Sequence, residues 1–393
     1  MNNFNFSSPT EILFGKKREF EVGDYIKKYG GSRVLVHYGS QSAVRSGLID
    51  RVTKVLEEKG LFYTLLGGVE PNPKDTLIYK GIEICKSENL DFILAVGGGS
   101  VIDSAKAISI GALYDGDFWD FYGTGKIVER TLPVGTILTI AAAGSEASTG
   151  SVVTKEEGKL KRDVNSALLK PKFSIMNPQL TCTLPPYQTA CGATDIMAHV
   201  FERYISNTED VQATDRLCEA VLLTMVEEVP KVMKDPNDYQ ARANIMLAGT
   251  IAHNGIVGVG RAQDWNSHRI EHELSGLYDC AHGAGLAVVM PAWMKYVYKR
   301  NTPLFVQMAT RVFGCKLDEE SPSKTAEEGI QCFKNFVKSI GMPTTLEEVG
   351  GKEEDIPILV EKLGLNGEKT GGFVNLSEED ITKILESTLA KNN

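Results

Sequence analysis

The sequence predicts two structural classes in series: an α/β domain over residues 1–180 and an all-helical domain over residues 181–393. Three observations lead there. In the first half, short β-branched runs alternate with helical runs, the pattern of a parallel sheet covered by helices. From about residue 184, long runs with apolar residues at helical spacing take over. Between them, near residue 180, the stretch PQLTCTLPP fits neither pattern. A length of 393 residues suits two or three domains.

The elements follow in order. Residues 32–37 (SRVLVH) form a compact β-type run after Gly30-Gly31, and 47–59 place apolar side chains at helical spacing. Residues 62–66 read as a second strand and 74–88 as a helix with Ile78, Ile82 and Ile84 as candidate core positions. Residues 91–96 (DFILAV) are almost continuously apolar, as in a strand buried on both faces. A helix over 101–110 and a strand over 133–140 complete the first half. In the second half, Pro185-Pro186 suits a helix start, where a missing N–H costs little. Helices are expected over 190–205, 214–234, 238–254, 268–277 and 327–340, and a glycine-rich loop over 255–260 follows Asn254.

Composition narrows the class. Hydrophobic residues make up 42% and charged residues 24%, which excludes a disordered chain. A net charge of −9 argues against a broad polyanion-binding surface, so no nucleic-acid partner is expected. Seven scattered cysteines without a CxxC argue against a disulfide framework or a thiolate zinc site and suit a reducing cytoplasm. Residues 1–15 lack the basic and apolar regions of a signal peptide, and no apolar run is long enough to span a membrane. The sequence holds six histidines, and half of them (His268, His272 and His282) fall within fifteen residues.

Two local patterns suggest chemistry. Gly97-Gly98-Gly99-Ser100 follows the 91–96 strand and opens the next helix. A helix start offers unpaired N–H groups and a positive dipole end, and glycines let a phosphate approach the backbone. The spacing is not that of the usual GxGxxG fingerprint, so a simple tight turn is an equal alternative. A second turn, 141–148 (AAAGSEAS), follows the 133–140 strand and can add donors. Asp103 and Lys106 lie one turn apart, as a local ion pair or as groups beside a cofactor.

The other pattern suits a metal. Asp195 and His199 stand four apart on one helix face, and His268 and His272 repeat that spacing before His282. Carboxylate oxygen with imidazole nitrogen fits a first-row ion such as Fe²⁺ or Zn²⁺. Four protein ligands exceed the three common at catalytic zinc and favour iron. The pattern alone leaves open which histidines bind.

With these residues in view, the chain resembles the iron-containing (group III) alcohol dehydrogenase family, in particular its butanol dehydrogenase and broad-range aldehyde reductase branch. The resemblance runs through PTEILFGKK (9–17), VEPNPK (69–74), LAVGGGSVIDSAKAI (94–108), LTIAAAGSEAS (138–148), LPPYQTACGATDIMAHVFERYIS (184–206), ARANIMLAGT (241–250) and HRIEHELSGLYDCAHGAGLAVVMP (268–291). It implies a dehydroquinate synthase-like fold: a dinucleotide-binding α/β domain and a helical metal-binding domain, with the active site between them, in a homodimer. It implies iron ligands at Asp195, His199, His268 and His282, and places His272 near substrate and nicotinamide as a catalytic residue and not a ligand. Cofactor contacts are implied at Asn72, Gly97, Gly98, Gly99, Ser100, Val101, Thr139, Ser148, Lys161 and Leu180. The family often has TTAGTGSE where this chain has TIAAAGSE, which removes hydroxyls at Ala141 to Ala143.

After the first strand, 37–42 read HYGSQS with Arg45 following, and no carboxylate stands there to repel a ribose 2′-phosphate. Gly39, Ser40, Ser42 and Arg45 can accommodate one, which favours NADP(H) over NAD(H). The expected activity is reversible hydride transfer between NAD(P)H and an aldehyde such as butanal. Trp265 and Tyr278 are candidate lining residues, with packing in the core as the plainer alternative. The rival readings are a zinc-dependent polyol dehydrogenase of the same fold, a metallohydrolase without a dinucleotide and a noncatalytic nucleotide-binding protein.

Overall fold

The computed structural model describes residues 1–39 and 41–392, so the expected contact at Ser40 lies outside the described residues. The strands are β1 (Glu11–Phe14), β2 (Arg33–Gly39), β3 (Phe62–Val69), β4 (Phe92–Gly97), β5 (Val134–Leu138), β6 (Gly150–Lys155), β7 (Leu160–Asn165) and β8 (Phe173–Met176). The helices of the first half are α1 (Val22–Lys28), α2 (Ser42–Arg45), α3 (Leu48–Glu58), α4 (Asp75–Ser87) and α5 (Gly99–Gly111). Those of the second half are α6 (Pro186–Tyr204), α7 (Gln212–Lys234), α8 (Tyr239–His253), α9 (Asn266–Tyr278), α10 (His282–Val297), α11 (Thr302–Arg311), α12 (Pro322–Ser339), α13 (Ile356–Lys362) and α14 (Glu378–Glu386).

Six strands form a sheet in the order β1-β8-β5-β4-β2-β3, every pairing parallel. β6 and β7 form a separate antiparallel ribbon. The period of two in β4 explains its burial on both faces. Phe92, Leu94 and Val96 join Val34, Val36 and Ile137 in one apolar cluster. Ile93 and Ala95 join Leu35 and the α5 residues Ile102 and Ala105 in another. Truncating a side chain such as Ile93, which is 0% exposed, costs about 2–5 kcal/mol.

This topology positions the candidate nucleotide site. The chain runs from β2 to the edge strand β3, and α4 then returns it past β2 to β4. Strand order therefore reverses between β2 and β4, whose C-terminal ends are Gly39 and Gly97. Open α/β sheets bind ligands in the crevice at such a switch point.

The chain divides into two compact units. One comprises Ser7–Leu184 with Asn237–Thr250; the other comprises Met1–Phe6, Pro185–Pro236 and Ile251–Asn393. A single boundary near residue 180 misses both excursions. Most of α8 belongs to the α/β unit because Met246 is buried in its core and Thr250 donates to the buried Glu146 carboxylate at 2.5 Å. Other expectations shift by a few residues. The strand expected over 133–140 covers only Val134–Leu138, and the helix expected over 101–110 starts at Gly99, so Gly98 alone separates β4 from α5. Pro186 opens α6 as its first residue. Among the described residues no helix is long and apolar enough to cross a membrane, and all seven cysteines are free thiols.

Candidate functional site: a glycine turn and a carboxylate–histidine cluster

In the α/β unit, α5 begins with no side chain capping its first turn, and its N-cap is Gly98. That leaves backbone N–H groups for an anion. The glycines have a packing reason as well. A Cβ on Gly97 would strike Val101, one on Gly98 would lie 3.0 Å from Ile140, and one on Gly99 would lie 2.9 Å from the Ala143 Cβ. The N–H of Thr139 also donates to the Gly97 carbonyl at 3.0 Å. The two turns singled out in the sequence are thus packed against each other.

Asp103 and Lys106 both make their contacts beyond α5. The buried Lys106 Nζ donates to the carbonyls of Ser145 at 2.8 Å, Gly150 at 2.8 Å and Ser148 at 3.1 Å. Asp103 accepts from the Ser145 hydroxyl at 2.5 Å and from the Val152 N–H at 3.1 Å. Together they lash the 145–152 segment to α5. Burial pushes Lys106 down to about 8.

The remaining expected cofactor residues are spread around this region. Gly39 ends β2, Ser42 starts the short exposed helix α2 and Arg45 ends it. Ser100 and Val101 lie in the first turn of α5, Val101 buried. Asn72 is buried with φ +52. Ser148 is buried within reach of Lys106, and Lys161 is buried on β7 opposite Thr154. Leu180 packs against the apolar cluster around Phe92, a role that hydrophobicity alone explains. His37 is fully buried, with Nδ1 2.9 Å from the Leu66 carbonyl and Nε2 2.8 Å from the Ser104 hydroxyl. Burial pushes it down to about 4, so it is a neutral bridge between β2, β3 and α5.

In the helical unit, three helices bring four side chains together. Asp195 and His199 lie on α6, His268 on α9, and His282 is the first residue of α10. Asp279, at φ +54, ends α9 in the left-handed conformation, and its N–H bonds the Ser275 carbonyl. That reversal returns His282 to the cluster. Around the Asp195 Oδ1 stand His199 Nδ1 at 3.5 Å, His282 Nε2 at 3.7 Å and His268 Nε2 at 3.9 Å. The side chains of Asp195, His199 and His268 are 5%, 6% and 7% exposed and that of His282 25%, so one ligand edges toward solvent.

The donor set fits a divalent first-row cation. Ligands bonded to such an ion at about 2.0–2.2 Å stand about 3 to 3.5 Å from each other. The three nitrogens stand 3.5 to 3.9 Å from the Asp195 oxygen. The ligand atoms of Asp195, His268 and His282 lie within 4.8 Å of one another, a mutual group that does not include His199. His199 Nδ1 is buried and makes no hydrogen bond among the described residues. Burial, with the neighbouring imidazoles and Arg203, pushes His199 well below the ordinary histidine range and keeps it in the neutral form that offers a lone pair.

His272 lies one turn after His268 on α9, partly exposed, with its ring 5.7 Å from that of His282. By mutual distance His272 groups with Glu271 and His282, beside the other combination of metal-binding atoms, Asp195, His268 and His282. Trp265 packs beside the cluster, 5.1 Å from His268 and 6.0 Å from His199. Tyr278 instead donates to Asp355 at 2.9 Å. His253, which sequence reasoning left without a role, packs its ring at a tilt 4.0 Å from that of His199 and faces the Arg203 guanidinium at 3.0 Å. Sequence reasoning also missed two carboxylates. The Glu202 Oε1 lies 2.9 Å from His268 Nδ1, and Glu271 bonds His282 Nδ1. Their only signal was a shared spacing, three residues after His199 and three after His268.

Comparison with known proteins bears on both units. The pattern of a family described as iron-containing alcohol dehydrogenase matches residues 9–178. That of the family's C-terminal part matches residues 189–389. The probable NADH-dependent butanol dehydrogenase 1 of Bacillus subtilis is 41% identical over 389 residues, 99% of this chain and 100% of that one. The NADPH-dependent aldehyde reductase YqhD of Escherichia coli is 36% identical, over 93% of this chain and 94% of its own. The crystal structure of NADH-dependent butanol dehydrogenase A from Thermotoga maritima is similar with a TM-score of 0.95 and 39% identity, covering 99% of each chain.

Proposed function

Because the chain belongs to the iron-containing alcohol dehydrogenase family, we propose that it interconverts a butanal-type aldehyde and its alcohol, using NADP(H) and Fe²⁺. The protein is an NAD(P)-dependent alcohol dehydrogenase and aldehyde reductase. The choice of aldehyde, of NADP(H) over NAD(H), and of iron over zinc is the proposal. The carrying observation is the approach of three imidazole nitrogens to within 3.5 to 3.9 Å of one carboxylate oxygen, with only His282 reaching toward solvent.

Asp195, His199, His268 and His282 would hold the cation, and Gly97 to Val101 would hold the pyrophosphate at the start of α5. When bound, the cation supplies Lewis acidity toward the substrate oxygen and the nicotinamide supplies or accepts hydride. His272 is the proposed proton donor to the product oxygen in the reductive direction, through a ring nitrogen, and it recovers that proton from solvent. The absence of a carboxylate over 37–42 supports NADP(H). A homodimer and a cytoplasmic location complete the proposal.

The test is aldehyde-dependent oxidation of NADPH and NADH side by side, with Fe²⁺ or Zn²⁺ added to metal-free protein and with glycerol oxidation in parallel. The reading expects butanal with NADPH and Fe²⁺ to give the highest kcat/KM. Faster glycerol oxidation with Zn²⁺ would instead assign the chain to polyol chemistry, and faster turnover with NADH would reverse the nucleotide preference.

A further inference from the structure

The three histidines of the cluster are not held alike. His268 directs Nδ1 at the Glu202 carboxylate, and His282 directs Nδ1 at Glu271. A carboxylate oxygen only accepts, so each Nδ1 carries the proton and each Nε2 is left as a lone pair facing Asp195. Both glutamates are 0% exposed, and each accepts at least one further hydrogen bond, Glu202 on the same Oε1 and Glu271 on its other oxygen. Glu202 also accepts from the Ser267 hydroxyl and from the His268 N–H at 3.1 Å. Glu271 accepts from the Ser275 hydroxyl. Gly285 of α10 leaves the space Glu271 occupies, since a Cβ there would lie 2.7 Å from Glu271 Oε1.

The arrangement repeats along the chain. α6 supplies His199 and, three residues on, the carboxylate that holds His268 of α9. α9 supplies His268 and, three residues on, the carboxylate that holds His282 of α10. Each helix therefore braces the ligand of the next. His199, the first in the series, has ring packing against His253 where the other two have a carboxylate.

We propose that Glu202 and Glu271 are positioning residues for the metal: each fixes one imidazole in the tautomer and orientation whose Nε2 faces the cation site. This rests on the reading of Asp195, His199, His268 and His282 as ligands. Carboxylates behind ligating imidazoles raise their basicity, and losing one typically weakens metal binding about 10–100-fold.

The experiment compares metal-free wild type, Glu202→Gln and Glu271→Gln in competition for Zn²⁺ with a chromogenic chelator. Co²⁺ absorption spectra and NADPH binding by fluorescence are recorded on the same samples. The expected result is Zn²⁺ affinity lower by about 10–100-fold in each variant, altered Co²⁺ bands and unchanged NADPH binding. Should a variant fail to fold, Ser275→Ala keeps the Glu271 charge while freeing its position, and a weakened Zn²⁺ affinity is again expected. Affinities within about two-fold of wild type with unchanged Co²⁺ bands would overturn the positioning role. A wild type that binds no divalent metal would overturn the ligand assignment itself.

Discussion

The glycine turn after β4 and the cluster shared by α6, α9 and α10 are built on opposite principles. At the turn, the binding groups are backbone N–H donors, and what matters about the side chains is that three are missing. Val101, Ile140 and Ala143 fill the space that Cβ atoms on Gly97, Gly98 and Gly99 would need. At the cluster, the binding groups are side-chain atoms at the ends of four residues, buried with a compensating shell of Glu202, Glu271 and Arg203. The first site is sensitive to volume and the second to charge and reach. Lesions in the two should therefore separate in what they damage.

The largest effect is expected at the cluster. His268→Ala should lose bound metal and at least about 10³-fold in kcat/KM together, because Lewis-acid stabilisation is worth several kcal/mol; metal analysis and steady-state kinetics on one sample check this. His272→Ala should keep its metal while kcat falls about 10²–10⁴-fold, the usual worth of a positioned proton donor. If His272→Ala instead empties the site, the grouping of His272 with Glu271 and His282 is the correct one and the ligand set must be redrawn.

A third effect belongs to the α/β unit and reads out as stability. His37 is held down to about 4 in the folded protein against 6.5 for a free histidine. Between those values the unfolded chain takes up a proton that the folded one refuses, so stability falls as pH drops from 6.5 toward 4. The loss amounts to about 3 kcal/mol at 1.36 kcal/mol per unit. Urea unfolding across that range should show the loss in wild type and a flatter profile in His37→Gln. The smallest effect is expected for Gly99→Ala. Its Cβ must displace Ala143, a crowding cost of about 1–3 kcal/mol, which should raise the KM for the nucleotide about ten-fold. Metal content should be unchanged; equal losses of metal and nucleotide would erase the contrast between the two sites.

The same contrast explains what could be read in the sequence. DFILAV, the alternation of strand and helix, and the helix carrying Asp195 and His199 are local periodicities, and the structure follows them. β1, β8 and the β6–β7 ribbon escaped because they are short and depend on partners distant in sequence; Glu11, for instance, pairs with Phe173. α10 escaped because its nearly uniform apolar character hides a helical period. The helical spacing of His268 and His272 suggested a shared metal, but the atoms nearest Asp195 come from His199, His268 and His282. That convergence depends on the reversal at Asp279 and was reached in the sequence only through family resemblance. Glu202 and Glu271 left only their spacing after His199 and His268 as a signal, because a buried glutamate looks like a solvated one until its neighbours are known. Lys106 likewise read either as half of a local ion pair or as a group beside a cofactor until the carbonyls of the 145–150 segment were placed around it.

The most direct test of the central claim is a titration of metal-free protein with Fe²⁺ under anaerobic conditions, following butanal-dependent NADPH oxidation and bound metal together. The account predicts no turnover without metal and activity that rises in proportion to bound Fe²⁺ until one ion per chain is held. Full activity in metal-free protein, or metal that binds at Asp195, His199, His268 and His282 without any effect on turnover, would contradict it.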